Sequence, residues 1–379
     1  MGSTISASGL LFFCLLVIAI IIFRRRPVLA LVDGGSSLSA FFVLGDSSVN
    51  CGNNLFLYPF LRPNSSSYFC NFMDRKLIPD LIAEKMGLPI SPLFYRQNGT
   101  MEGLMGGLNY GSSPATIMNY GWRDFQGLNA QARQVFETLQ LVQLQLGSES
   151  ANRLIRSSLF YLSFGKDDYL EFFRSFSGTN PNITAHKFAR ILANQMIRIV
   201  KDLYNANVRK IVCVGIGPLG CSPRSLWEAF NSTGRSRTSG RCIRKINKKV
   251  TVYNQILSAS INDLNCELKD SQIVFCDIYR AMMNLIRCPR IYGFENVDGA
   301  CCGVGRYGGM VGCLAKELAC TDHSKHVWWD LYNPTEAANA WIAEWMWSGT
   351  HPSNICGPIN IKQLMTNSVW PPLEAPSFN

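Results

Sequence analysis

Four short β-rich apolar runs, Ala40 to Leu44, Leu159 to Phe164, Lys210 to Val214 and Gln272 to Cys276, are spread along the chain between much longer segments. Two of those segments, Ala130 to Leu146 and Ala185 to Tyr204, place apolar residues three and four apart, the spacing of a helix that buries one face. A strand that is apolar along its length has no side to give to water and must be covered on both faces. Such strands alternating with helices predict an α/β domain with a mainly parallel sheet between two helical layers. In these sheets functional residues gather at the carboxyl ends of the strands. The first run ends just before Gly45-Asp46-Ser47-Ser48, which places Ser47 at such an end.

No Pro/Gly/Ser-rich linker interrupts the interior, so the 379 residues are read as one large domain, 40–365, after a leader, 1–39, and before a tail, 366–379. With 47% hydrophobic, 11% aromatic and only 16% charged residues, the chain can fill a sizeable core and does not have the composition of a disordered protein.

Fourteen cysteines, with Cys288, Cys301, Cys302, Cys313, Cys320 and Cys356 clustered late, indicate an oxidising compartment and disulfides. No CxxC pair occurs and there are four histidines, so zinc is disfavoured and no metal or cofactor is expected. Setting aside Cys14 leaves an odd number, hence at least one thiol that is free or pairs with another chain. Cys213, within an apolar run, is the natural buried free thiol. Four N-x-S/T sequons, at Asn64, Asn98, Asn182 and Asn231, agree with the secretory route.

Leu10 to Phe23 is an unbroken apolar run of 14 residues, the length of a signal-peptide core and too short for an untilted membrane span. No Lys or Arg precedes it and Arg24-Arg25-Arg26 follows, a charge order that would hold the body of the protein in the cytosol. The cysteines and sequons are many and independent, and they outweigh it. The expectation is a secreted protein cleaved between Ala30 and Ala40, with a retained membrane anchor at Leu10–Phe23 as the alternative. Met1 to Ser6 fits a myristoylation pattern, which the hydrophobic leader close behind it disfavours.

The net charge of +10 is unevenly placed. Arg224, Arg235, Arg237, Arg241, Arg244, Lys245, Lys248 and Lys249 are opposed over that stretch only by Glu228. The plain reading is a solvated loop and helix face. The sharper one is contact with an acidic cell-wall polysaccharide or an anionic membrane surface. No basic-aromatic interleaving or reader motif accompanies the charge, so nucleic acid is not an expected partner.

Gly-Asp-Ser alone is more often a turn than a nucleophile, and its weight comes from company. Phe41 to Asn54 (FFVLGDSSVNCGNN) is followed in order by Ile78-Pro79-Asp80-Leu81-Ile82-Ala83-Glu84, by Gly107-Leu108-Asn109-Tyr110 and by Phe164-Gly165-Lys166-Asp167-Asp168-Tyr169. Then come Gly217-Pro218-Leu219-Gly220-Cys221-Ser222-Pro223, Tyr292-Gly293-Phe294-Glu295, Cys301-Cys302-Gly303 and Trp329 to Ala338 (WDLYNPTEAA). From about Ala40 to Leu364 the chain resembles the plant-type GDSL esterase/lipase family, also called SGNH hydrolases. The resemblance implies a flavodoxin-like three-layer α/β/α fold. It also implies secreted hydrolysis of carboxylic esters of lipids, cell-wall acyl groups or small metabolites.

That family works with a serine nucleophile, a glycine and an asparagine that donate to the oxyanion, and a histidine base in an Asp-x-x-His-Pro segment. Matched residue by residue, Ser47 stands at the nucleophile and Asp330 at the carboxylate. Ser113 or Pro114 falls at the oxyanion glycine, Asp167 at the asparagine and Asn333 at the histidine. Proline has no N–H to donate. A serine hydroxyl is a poor nucleophile until an imidazole takes its proton, so the chain is expected to have little or no serine-esterase activity. Losing one oxyanion donor costs ~10²–10³ in turnover, and losing the triad histidine ~10⁶.

Substitute bases are disfavoured. His323 is expected on a loop and His326 at a strand end; Asp330 is a weak base, and His186 and His351 lie in no motif. Ser47 and Asn333 are expected to hydrogen-bond each other as a polar remnant. Asp46, Asn53 and Asn54 are expected to make turn or helix-start bonds. The expected partner is an ester or acylated ligand. An active ester hydrolase with a displaced base and a non-enzymatic glycan- or lipid-binding protein are the alternatives.

Overall fold

The structure, a computed structural model, describes residues 39–49, 75–97, 100–118, 126–175, 184–233, 242–313, 316–349 and 354–367. Strands β1 (Phe41–Gly45), β2 (Leu159–Ser163), β3 (Lys210–Val214) and β4 (Gln272–Cys276) pair side by side in that order, all parallel. They are the four runs read from the sequence, shifted by one residue at β1 and shortened by one at β2.

Successive side chains on a strand point to opposite faces, and here both faces are filled. Phe42, Leu44, Phe160, Leu162, Ile211, Cys213, Ile273 and Phe275 join one core. Phe41, Val43, Leu159, Tyr161, Val212, Val214, Val274 and Cys276 join the other. The helices around them are α1 (Ile78–Lys85), α2 (Leu128–Leu146), α3 (Ser148–Ser157), α4 (Lys166–Ser175), α5 (Ala185–Asn205), α6 (Pro223–Thr233), α7 (Arg244–Glu267), α8 (Ile278–Arg287), α9 (Glu336–Ser348) and α10 (Ile361–Thr366). Buried residues of α2, α3, α5 and α7 line the first core, and those of α1, α8, α9 and α10 the second. The three-layer α/β/α arrangement follows. No described helix is long and apolar enough to cross a membrane.

A further parallel segment, missed in the sequence because it is too short and too glycine-rich for a strand pattern, lies outside β1. Phe41 N–H donates to the Gly106 carbonyl and Val43 N–H to that of Leu108, while Tyr110 N–H returns to Val43 and Ser112 N–H to Gly45. The chain thus leaves β1 to one side for this edge and returns to β2 on the other. That reversal is the topological switch of flavodoxin-like sheets, the crevice where ligands bind.

Residues 296–313 and 316–330 form a layer around β5 (Asn296–Ala300) and β6 (His326–Trp328), paired parallel, with Val327 and Trp328 packed into the second core. Disulfides Cys301–Cys320 and Cys302–Cys313 brace it. A short strand, β7 (Cys356–Gly357), closes the main sheet antiparallel to β4 and is bonded to it through Cys276–Cys356. Cys221–Cys242 ties the start of α6 to the start of α7. Cys213 is buried outside any disulfide, as expected, and burial pushes its thiol up to about 12. Cys288, part of the late cluster, is an exposed free thiol, as is Cys266.

Candidate functional site

The parallel register that sets Gly45 beside Ser163 brings the turns after β1 and β2 together at the switch. A Cβ at Gly45 would lie 2.6 Å from the Ser163 carbonyl oxygen, so only glycine permits this approach. Gly165, at φ +108°, turns the chain from β2 into α4.

Asp46 is fully buried between the two turns. Its Oδ1 accepts from the Ser48 amide at 2.9 Å and its Oδ2 from the Lys166 amide at 2.8 Å and, more loosely, the Asp167 amide at 3.4 Å. One carboxylate therefore makes both the turn bond and the helix-start bond expected of it, the helix being the one that follows β2. A negative group at that N-terminus is favoured by the helix dipole.

Ser47, half-buried, donates its hydroxyl to Asp167 Oδ1 at 2.5 Å. Asp167 Oδ2 accepts the Ser47 amide at 3.2 Å and the Ala115 amide at 3.0 Å. The sequence aligned Ser113 or Pro114 of this loop with the family's oxyanion glycine. A cis Ser113–Pro114 bond precedes Ala115, and the amide on Asp167 is that of Ala115, which the sequence reading missed.

Across the crevice, Asp330 organises its own loop. Its Oδ1 accepts the amides of Tyr332 at 3.0 Å and Asn333 at 2.8 Å, and its Oδ2 accepts Asn333 Nδ2 at 2.9 Å. The remaining acceptor of the Asn333 side chain, Oδ1, takes Lys166 Nζ at 2.6 Å. The expected Ser47–Asn333 bond is not formed: among the described residues the serine goes to Asp167 and the amide to Lys166 and Asp330. Lys166 was also missed, although its cationic side chain stands in the same block as Asp167. It is 9% exposed, so an ammonium is brought to the place where the family's base is expected. Arg75 donates to the Pro334 carbonyl at 2.9 Å, lies 5.6 Å over the Trp329 ring, and acts electrostatically on Asp330.

Burial, then the Asp167 charge, push the Asp46 carboxyl up to about 6 against the pull of Lys166. Asp168, fully buried with the amides of Ile117 and Met118 at 2.8 and 2.9 Å, is raised well above the usual carboxylate range by burial. The crevice floor is thus crowded with acids.

The described histidines stand apart from Ser47's hydrogen bonds. His323 opens an exposed 3₁₀ turn, and His326 opens β6 with Nδ1 3.3 Å from the Asp322 carbonyl and 3.5 Å from Cys320 Sγ. His186 is exposed on α5. Cys301, Cys320 and His326 hold ligand-type atoms within 4.8 Å of one another, but both sulfurs are in a disulfide and offer no thiolate to a metal.

Of the basic stretch, Arg224 pairs with Glu228 at 2.7 Å and Lys249 Nζ sits 5.0 Å over the Phe172 ring. Arg244, Lys245 and Lys248 are exposed on α7, and Asn231 is exposed near the end of α6. Arg235, Arg237, Arg241, His351, the sequon residues Asn64, Asn98 and Asn182, Asn53, Asn54 and the leader with Leu10–Phe23 lie outside the described residues.

Comparison with known proteins matches residues 41–346 to the family described as GDSL-like Lipase/Acylhydrolase. The chain is 32% identical over 349 residues to GDSL esterase/lipase At5g08460 of Arabidopsis thaliana, covering 86% of this chain and 87% of that protein. It is 31% identical over 343 residues to GDSL esterase/lipase 7 of Arabidopsis thaliana, covering 86% and 91%. It is 28% identical over 363 residues to GDSL esterase/lipase At1g71250 of the same plant, covering 92% and 94%.

Proposed function

The chain belongs to the GDSL-like lipase/acylhydrolase family, and from that premise we propose that it is a secreted ester hydrolase by descent whose serine chemistry is impaired. Family membership supports ester hydrolysis as the chemistry of the scaffold. The Asp167 carboxylate carries the impairment, because it takes the Ser47 hydroxyl and the amides of Ser47 and Ala115 together. Amides beside a nucleophilic serine stabilise the oxyanion of ester hydrolysis when they point at empty space prepared for it. Here a fixed acceptor already holds them, and an ionised carboxylate repels the charge that must develop. The amide of Asn333 has no basic nitrogen to relieve Ser47 of its proton.

In this reading the crevice keeps an ester or acylated ligand without turning it over. Four disulfides among the described residues support passage through an oxidising compartment. The exposed Arg244, Lys245 and Lys248, with no ion pair among the described residues, support contact with an acidic polysaccharide as an accessory surface. An active esterase with a displaced base gains little support, since His326 is engaged at Nδ1 and His323 faces solvent.

Hydrolysis of a short p-nitrophenyl ester tests the reading. Wild type and Ser47→Ala are expected to be equally inactive, and Asn333→His alone to gain little while Asp167 holds the amides. The double variant Asp167→Asn/Asn333→His is expected to exceed Asn333→His by ~10²–10³, the worth of an oxyanion donor. Wild-type turnover abolished by Ser47→Ala would overturn the impairment.

A further inference from the structure

Lys166 Nζ, Asn333 Oδ1 and Nδ2, and Asp330 Oδ2 form a continuous chain at 2.6 and 2.9 Å between residues 167 positions apart in sequence. We propose that Lys166 and Asn333 form an intramolecular isopeptide bond, with Asp330 as the proton carrier. This is a covalent modification independent of any esterase activity.

Three features point to it. An amine 2.6 Å from a carbonyl oxygen is at most one C=O length, ~1.2 Å, further from the carbonyl carbon, close to the ~3–3.5 Å of a near-attack pair. Both partners are anchored by bonds other than their own. The Lys166 backbone is held by Asp46, and the Asn333 backbone by Asp330, with its carbonyl accepting the Trp329 amide at 2.8 Å. The lysine is nine-tenths buried and Asn333 half-buried, so little water reaches the amine. Amides react sluggishly with amines in solution, and the gain here is positional: well-oriented intramolecular pairs reach effective concentrations of ~10⁵–10⁸ M.

The step balances without oxidant, reductant or cofactor. Lys166, as the free amine, adds its lone pair to Asn333 Cγ, and the carbonyl electrons move to Oδ1. Both nitrogens then sit on one carbon beside Asp330, which takes the proton released by Nζ and returns it to Nδ2. The Cγ–Nδ2 bond breaks, the carbonyl re-forms and ammonia leaves. Counted from the lysine ammonium, one primary amide and one ammonium give one secondary amide and one ammonium ion. The product fastens the first turn of α4 to the loop that carries Asp330.

Peptide mapping of the full-length secreted chain, reduced and digested, decides it. The expected result is a joined pair of peptides, one carrying Lys166 and one Asn333, weighing ~17 Da less than their sum, the mass of ammonia. Lys166→Arg and Asn333→Ala are expected to return separate peptides at full mass, and Asp330→Asn, which keeps both reactants, to slow the joining. Since a variant that misfolds would also lack the link, wild type is followed as well. Wild type recovered unfolded from inclusion bodies and kept in urea, never having folded, should be unlinked, and on folding the link should appear. Unmodified masses for both peptides after days of folded incubation at pH 9 overturn the proposal. So does a link that forms equally in urea, because the folded geometry would then not be its cause.

Discussion

The two sides of the crevice are built by different forces. Ser47, Lys166 and Asp167 hang from β1 and β2, strands buried at every position between two apolar cores. Asp330 and Asn333 follow a layer whose strand β5, Asn-Val-Asp-Gly-Ala, has no buried residue and whose apolar cluster is Cys301, Cys302, Cys313 and Trp329. The first side is positioned by the packing of the sheet, the second by disulfides and backbone hydrogen bonds together with Val327 and Trp328 of β6, which reach the second core. Loss of packing and loss of disulfides should therefore dismantle the site from opposite sides.

The largest effect is expected in the sheet. Phe160 is fully buried and stacks on Phe42 with ring centroids 4.7 Å apart. Phe160→Ala should cost ~3–5 kcal/mol, read as a lower urea midpoint for the entire domain. Next comes the double variant Cys301→Ser/Cys320→Ser, which opens a link spanning 19 residues. A closure of that size is worth about 3 kcal/mol. Hydrogen exchange should show amides of 296–330 losing protection while β1 to β4 keep theirs. Equal loss in both regions would mean that the layer and the sheet are one cooperative unit.

A pH dependence belongs to the sheet side. Asp46, raised from 3.8 to about 6 by burial and then by Asp167, holds in the folded state a proton that the unfolded chain releases. Stability contributed this way is complete below about pH 4 and declines as pH rises through about 6, by on the order of 2–3 kcal/mol. Asp168, raised by burial, acts in the same direction. Asp167→Asn removes the second cause at Asp46 and should flatten the decline, measured as melting temperature from pH 4 to 7. An unchanged slope would mean that the two carboxylates do not sense each other.

How much the sequence disclosed follows the same division. β1 to β4 were legible because continuous apolar runs leave a strand few alternatives, and Ser47 at the end of β1 followed from the topology of parallel sheets. In the layer around β5 only the strand end at His326 was anticipated, since β5 itself is a short polar strand without periodicity and the cysteines allow many pairings. Asp167 and Asn333 were identified as departures from the family, but their bonding was not. A single sequence shows that a base is replaced; it does not show that a lysine one residue from Asp167 reaches the replacement, or that the Ala115 amide is turned onto Asp167. Those facts depend on side-chain directions and loop paths, which residue types do not encode locally.

The smallest effect tests the seam between the regions. Thr335 is fully buried; its hydroxyl donates to the His326 carbonyl at 2.7 Å and accepts the Ala338 amide at 3.2 Å, so one oxygen joins β6 of the disulfide-braced layer to the N-terminus of α9 on the second core. Thr335→Ala removes both bonds and should cost about 1 kcal/mol, the usual worth of such a cap, on top of the ~0.8 kcal/mol of the lost methyl. Thr335→Ser loses the methyl alone. If chemical denaturation gives the two variants the same cost, the hydroxyl is not what couples the layer to the sheet. If alanine costs measurably more, and exchange quickens at β6 as well as at the start of α9, the oxygen is the coupling.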